Sequence, residues 1–293
     1  MKKKIITVFG ARGNQGSSVL NYLHKDNTFI TRAITRDLSN FNGEAHETVV
    51  ADLNDKDQIK KSLEGSYGVF LVTNFWEGAD EQSQAKNVIE VSKQLDIEHF
   101  VWSTLPDVDS IANGAINVPH FTDKSKVNQW IIDAKFKYHT FVQAPFYFQN
   151  LQNFMPPMEL GDQKMGWSLP IDPTKKVIEM GDISEFGALV LEVFKQTEEA
   201  NNKTFPFSSG RYSFNDVLDA YNSVGKSFTF QNVDPETYSS FYEGAKEITE
   251  MLRYFELHTY FGPHGAQGVK DARNLLKKEP TSLSKWILNT VTQ

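Results

Sequence analysis

Gly10-Ala11-Arg12-Gly13-Asn14-Gln15-Gly16 is the stretch on which the fold turns. Ahead of it runs an apolar, β-branched segment, Lys4 to Phe9. Behind it Val19, Leu20 and Leu23 recur at helical spacing, which predicts a strand, a tight turn and a helix from about Gln15 to Lys25. A glycine-rich turn in that setting suits an anion. One glycine lets the chain turn, one lets the backbone approach a pyrophosphate, and one lets helix and strand close up, while the helix start supplies N–H donors and the positive end of its dipole. The spacing is GxxGxxG and not the commoner GxGxxG, so the position of the turn says more than its glycines do.

The same alternation continues outward. Phe29 to Thr35, Thr48 to Ala51, Gly68 to Thr73, His99 to Ser103 and Tyr138 to Gln143 read as buried strands, with helices near Lys56 to Leu63, Asp80 to Leu95 and Phe121 to Ala134. Strands alternating with helices predict an α/β fold, a Rossmann-type doubly wound parallel sheet over residues 1–150 that binds a dinucleotide at the carboxyl ends of its strands. Pro145, Pro156, Pro157, Gly161, Gly166 and Pro170 then punctuate the chain. A smaller, mixed and mostly helical C-terminal part, residues 151–293, is expected to bind substrate or partner. Within it, a strand at Lys176 to Met180 and a helix at Ile183 to Phe194 are expected to return to the sheet. Ser213 and Asp216 open a helix through about Ser223, Phe228 to Val233 is strand-like, and Leu283 to Val291 closes the chain as a helix.

Composition removes whole classes of function. The 293 residues contain no cysteine, so disulfides, thiolate nucleophiles and Cys-ligated zinc are excluded. A net charge of −7, with basic residues scattered beyond the first four positions, argues against direct nucleic-acid binding. No apolar run approaches the roughly 20 residues of a membrane helix. Met1 to Lys4 followed by the short run Ile5 to Phe9 reads as a first strand and not an export signal, so the cytoplasm is the expected compartment. There is no HExxH, GxSxG or phosphate-transfer loop, so no metal site is expected and hydrolase and kinase readings drop out.

The end of the second strand indicates which dinucleotide. A site for NAD usually places Asp or Glu there to hold the ribose 2′-hydroxyl; this chain has Arg36, which suits a 2′-phosphate and hence NADP(H). Arg12 and Arg32 are candidates to add positive charge, and the neighbouring Asp37 counts slightly against the assignment. Asp52 and Leu53 are placed for the adenine, with loop capping as the alternative for Asp52. Thr73, Asn74 and Phe75 are placed for the ribose and nicotinamide.

The glycine turn, Val72-Thr73-Asn74-Phe75-Trp76-Glu77, His120-Phe121-x-x-Lys124 and Pro145-Phe146-Tyr147-Phe148-Gln149-Asn150 together resemble the NmrA-like family, atypical members of the short-chain dehydrogenase/reductase superfamily. The resemblance implies NADP contacts from Gly10, Ala11, Arg12, Gly13, Asn14 and Gln15, from Arg36, Asp52 and Leu53, and from Thr73, Asn74 and Phe75. It implies further contacts from Lys86 and Lys124, and from Tyr147, Phe148, Gln149 and Asn150. Arg12 departs from the threonine more usual in the family. Superfamily members that reduce carbonyls use Tyr-x-x-x-Lys; here the pair is His120 and Lys124, so the phenolic acid is replaced by an imidazole. His120, Lys124 and Ser103 are therefore the catalytic candidates, with helix capping or packing against Phe121 as the alternative for His120. Trp76, Trp102, Phe121, Phe146, Tyr147, Phe148 and Trp167 are candidates to wall an aromatic cavity over the nicotinamide, with ordinary core packing as the other fate.

Two functions follow from the resemblance. One is a redox sensor that couples the NADPH/NADP+ state to regulatory protein partners, with a nuclear as well as a cytoplasmic location implied and an NADP-linked homodimer compatible. The other is an NADPH-dependent reductase of quinones or other small aromatic electrophiles.

Overall fold

The computed structural model describes residues 2–78 and 80–291. Its first half alternates β1 (Ile5–Val8), α1 (Asn14–Asp26), β2 (Ile30–Thr35), β3 (Glu47–Val50), α2 (Lys56–Leu63), β4 (Gly68–Leu71), α3 (Glu81–Gln94) and β5 (His99–Thr104). The short α4 (Val108–Ile111), α5 (Pro119–Ala134) and β6 (Tyr138–Gln143) follow. Next come β7 (Phe146–Tyr147), β8 (Met158–Glu159), β9 (Met165–Leu169), β10 (Ile178–Gly181), α6 (Phe186–Lys195), α7 (Thr197–Ala200), β11 (Lys203–Pro206) and β12 (Gly210–Tyr212). The chain ends with α8 (Phe214–Asn222), β13 (Phe228–Asn232), α9 (Pro235–Ser239), α10 (Ala245–His258), α11 (Gly265–Leu276) and α12 (Leu283–Val291).

Among the described residues, seven strands form the main sheet in the order β11-β6-β5-β4-β1-β2-β3, with every pairing parallel. Its central strands β4 and β5 are buried on both faces, while the edge strand β3 alternates. That is why the interior strands read as continuous apolar runs. One face carries α1 and α6, with Val19, Leu20 and Leu23 packed against Phe186, Leu189 and Val190. The other carries α2, α3 and α5 through Ile59, Leu63, Val88, Val127 and Ile131. Local chemistry sets the helix starts: Asp55 accepts the N–H groups of Asp57 and Gln58, and Ser213 with Asp216 makes the reciprocal capping box of α8. A further core, containing Phe121, Phe148, Trp167, Phe214, Tyr254 and Trp286, joins the C-terminal elements to the start of α5 and to β7.

The expected return to the sheet needs correcting in part. The helix does return, as α6 on α1, but the strand does not: β10 lies between β12 and β7 in a separate three-stranded sheet. Glu179 is the physical reason. It is buried in β10, and β12 brings Arg211 opposite it, with guanidinium nitrogens 2.6 and 2.7 Å from one carboxylate oxygen, which an apolar main-sheet neighbour would not supply. The place beside β6 goes to β11, which the sequence reading missed.

His99 sits fully buried in β5, its Nε2 3.0 Å from the Thr140 hydroxyl, and burial pushes its pKa down to about 3. The native state therefore keeps it neutral, whereas the unfolded chain takes up a proton below about pH 6.5. Stability is accordingly lost as pH falls from about 6.5 towards 3. Chemical denaturation of His99→Gln across that range should show a shallower loss than the parent, and parallel curves would contradict the assignment.

Candidate functional site

A cleft of about 760 Å³ opens over the carboxyl ends of β1, β2, β4 and β5. Its floor is the glycine turn. Gly10 has φ +71°, and a Cβ there would lie 2.6 Å from Val72 Cγ1; a Cβ on Gly16 would lie 2.1 Å from the carbonyl oxygen of Gly10. The two positions thus enforce the tight reversal and the close seat of α1. No side chain among the described residues caps α1, so its first N–H groups are left without a side-chain acceptor beside the cleft that Asn14 and Gln15 line.

The sequence candidates largely converge. Gly10 to Gln15, Arg36, Asp52, Leu53, Thr73 to Phe75, Ser103, His120, Lys124, Tyr147 and Asn150 all line the cleft. Arg36 and Arg12 are exposed at the rim, while Asp37 accepts hydrogen bonds from the Ser39 hydroxyl and N–H and from Asn40 and lies outside the lining. Those bonds, with Arg12 adding a little, hold the Asp37 carboxyl below its usual range. Asp52 both lines the cleft and caps its loop, accepting the backbone N–H and side-chain amide of Asn54 at 2.8 Å.

Other expectations are displaced. Arg32 is buried mid-strand, paired with Glu47 at 2.6 Å and donating to the carbonyls of Ser62 and Glu64, so it adds nothing at the 2′ position. Lys86 is exposed on α3 away from the lining. Phe148 is buried against Tyr212 and Trp286, and Gln149 is held by Asp182 and the Ile183 N–H. Trp102 and Trp167 are core residues. Conversely Gln84, Leu105, Phe154, Ile248, Met251 and Tyr260 line the cleft without having been singled out.

Two polar assemblies organise its inner end. Lys124 Nζ donates to the Thr73 carbonyl at 2.8 Å and pairs with Glu81, whose same oxygen accepts from the Thr73 hydroxyl at 2.7 Å. Burial pulls the lysine pKa down, and the Glu81 carboxylate works against that. In the second assembly, Ser103 donates to Gln15 Oε1 at 2.5 Å and Gln15 Nε2 donates to the Tyr147 hydroxyl at 2.8 Å. Burial, partly offset by that bond, pushes the Tyr147 phenol up to about 12. His120 stands among aromatic rings, with Phe75, Trp76 and Phe121 centroids 5.9, 5.2 and 4.9 Å away. Its Nδ1 lies 2.5 Å from Glu247 Oε1 on α10. Burial would raise the Glu247 carboxyl, but the hydrogen bond and charge of His120 outweigh it and hold it low.

Comparison with known proteins identifies the family and the fold. Residues 2–287 match the NmrA-like family. The chain belongs to that family. An NmrA-like family domain-containing protein of Dictyostelium discoideum is 29% identical over 292 residues, covering 95% of both chains. The solved structure of the negative transcriptional regulator NmrA in complex with NADP has a TM-score of 0.83 at 21% identity, covering 99% of this chain and 96% of that one. An NADPH-dependent quinone oxidoreductase of Escherichia coli, solved with NADPH, has a TM-score of 0.77 at 16% identity, covering 98% and 99%. At those identities the solved structures speak for the fold. Among the described residues of this NmrA-like chain, no helix is long and apolar enough to cross a membrane, and no cluster of three or more His, Asp or Glu side chains forms a metal site.

Proposed function

We propose that this NmrA-like protein binds NADP(H) in the cleft and passes the state of that cofactor to a protein partner through its C-terminal elements. The observation that carries the reading is a cleft with two walls: the phosphate turn with Arg36 on the Rossmann side, and Ile248, Met251 and Tyr260 on the other, tied across by His120 and Glu247. A dinucleotide there touches both walls, and a difference between NADPH and NADP+ at the nicotinamide end falls where α10 is anchored. Coupling requires that one form be bound better in one conformation. Hydrogen exchange of α10 should therefore differ between NADPH- and NADP+-saturated protein, and identical exchange would remove the sensor reading.

The residues present fit the cofactor. The turn and the start of α1 would hold the pyrophosphate, Arg36 the 2′-phosphate, Asp52 and Leu53 the adenine side, and Thr73 to Phe75 with Tyr147 the nicotinamide side. When bound in its reduced form the cofactor supplies hydride. Arg36→Asp should weaken NADPH by about 1.4–2.7 kcal/mol, some 10- to 100-fold, and leave NADH nearly unchanged. Fluorescence titration reads both, and an unchanged NADPH affinity would remove Arg36 from the site.

A second reading, an NADPH-dependent reductase of aromatic electrophiles, is favoured by the rings of Phe75, Trp76 and Phe154 beside His120 and by the fold shared with the quinone oxidoreductase. NADPH oxidation with a quinone panel tests it directly.

A further inference from the structure

Among the cleft's titratable side chains, His120 has its two ring nitrogens placed differently. Nδ1 is fixed by Glu247, while Nε2 has no hydrogen-bond partner among the described residues, in a side chain that lines the cleft. The Glu247 oxygen that meets Nδ1 also accepts the His120 backbone N–H, at 3.3 Å, which fixes ring and main chain together. A carboxylate on one imidazole nitrogen sets the ring's orientation and stabilises its protonated form, leaving the other nitrogen to exchange a proton with a bound molecule. The walls beside the ring are aromatic: Trp76 meets both His120 and Phe154 at a tilt of 46°, with Phe75 alongside.

We propose that His120 and Glu247 are a proton-delivering pair for a planar, conjugated carbonyl compound reduced in this cleft. The inference rests on the reading that NADPH occupies the cleft. As hydride from the reduced dinucleotide forms a C–H bond at the carbonyl carbon, the carbonyl π pair moves to oxygen, and His120 Nε2 gives up its proton to that oxygen. The products are an alcohol, NADP+ and a neutral His120 that keeps its Nδ1 proton on Glu247. A quinone gains little from such a donor because its reduced oxygen is a weak base. An aryl or enal carbonyl, whose product alkoxide is a strong base, gains most. His120 is the catalytic residue of the pair and Glu247 its positioning residue. The charged groups brought to His120 are Glu247 from α10 and, one turn along α5, Lys124, itself paired with Glu81; the segment before α3 presents the rings of Phe75 and Trp76.

The protonated imidazole is the active form, so turnover is expected to fall with rising pH. The experiment first establishes NADPH binding by fluorescence, then follows NADPH oxidation by benzaldehyde and cinnamaldehyde. In parallel, the hydrogen bond from His120 Nδ1 to Glu247 in the cofactor-free protein is followed by NMR of the imidazole N–H. The expected results are turnover by the parent protein, a loss of about 100-fold in kcat for His120→Asn with NADPH affinity retained, and a loss of about tenfold for Glu247→Gln. In Glu247→Gln the downfield imidazole N–H signal that the parent owes to the carboxylate contact should be lost. The proposal is overturned by NADPH-binding protein that reduces neither aldehyde, by His120→Asn keeping more than half of kcat, or by an imidazole N–H signal unchanged in Glu247→Gln. Failure to bind NADPH would instead sink the cofactor reading, and this inference with it.

Discussion

Replacing Lys124 with methionine is expected to destabilise the protein by about 3–5 kcal/mol, because it strands the buried Glu81 carboxylate without its counter-charge. Both partners are buried, at 8% and 4% exposure, and Glu81 Oε2 already lacks a hydrogen-bond partner, so the lysine is what compensates the charge. Removing both charges together should cost much less, since a buried ion pair replaced by apolar groups of similar size is often neutral. Denaturant unfolding of Lys124→Met, Glu81→Leu and the double variant gives the coupling directly. A single-variant loss under about 1 kcal/mol, or simple additivity, would mean that the pair does not govern this site. The same arrangement bears on function, because the ammonium of a candidate site residue is held here between Glu81 and the Thr73 carbonyl.

Gly16→Val is the second large effect. The added Cβ would sit 2.1 Å from the Gly10 carbonyl oxygen, a backbone atom that moves only if the turn opens. A cost of about 3 kcal/mol, the upper end for overpacking, is expected in stability. NADPH affinity should fall more than about tenfold, since the phosphate donors at the start of α1 move with the turn. Calorimetric titration of the variant at a temperature where it remains folded separates the two losses. Parent-like affinity would show that the turn is not where the phosphates bind.

The main sheet was legible because its strands carry an unambiguous signal. A strand buried on both faces carries an apolar run, such as Phe100-Val101-Trp102 in β5, and between helical patterns such a run has few other readings. The edge strand β11, Lys203-Thr204-Phe205-Pro206, has no such run and ends on a proline that only an edge tolerates, so it was missed. β10 was legible as a strand, but its sheet was decided by the buried Glu179 and its Arg211 partner, a tertiary fact.

The glycine turn and the helix behind it were equally legible, since spacing and context suffice there. Glu81 and Glu247 were not: each is a carboxylate in the first turn of a helix, where capping or solvation is the ordinary reading. What makes them part of the site is a partner 43 residues away for one and 127 for the other. Amphipathic spacing of Ile248, Met251, Leu252 and Phe255 in α10 signals burial but not which surface does the burying. Arg32 failed as a cofactor residue for a geometric reason. It lies four residues before Arg36, about 13 Å back along the strand, beneath the sheet's open end.

The most direct test of the account is a calorimetric titration of the purified protein with NADPH and with NADH. Binding of NADPH at least about tenfold tighter than NADH is predicted, with the preference lost in Arg36→Asp. Equal affinities, or no heat of binding for either dinucleotide, would contradict it.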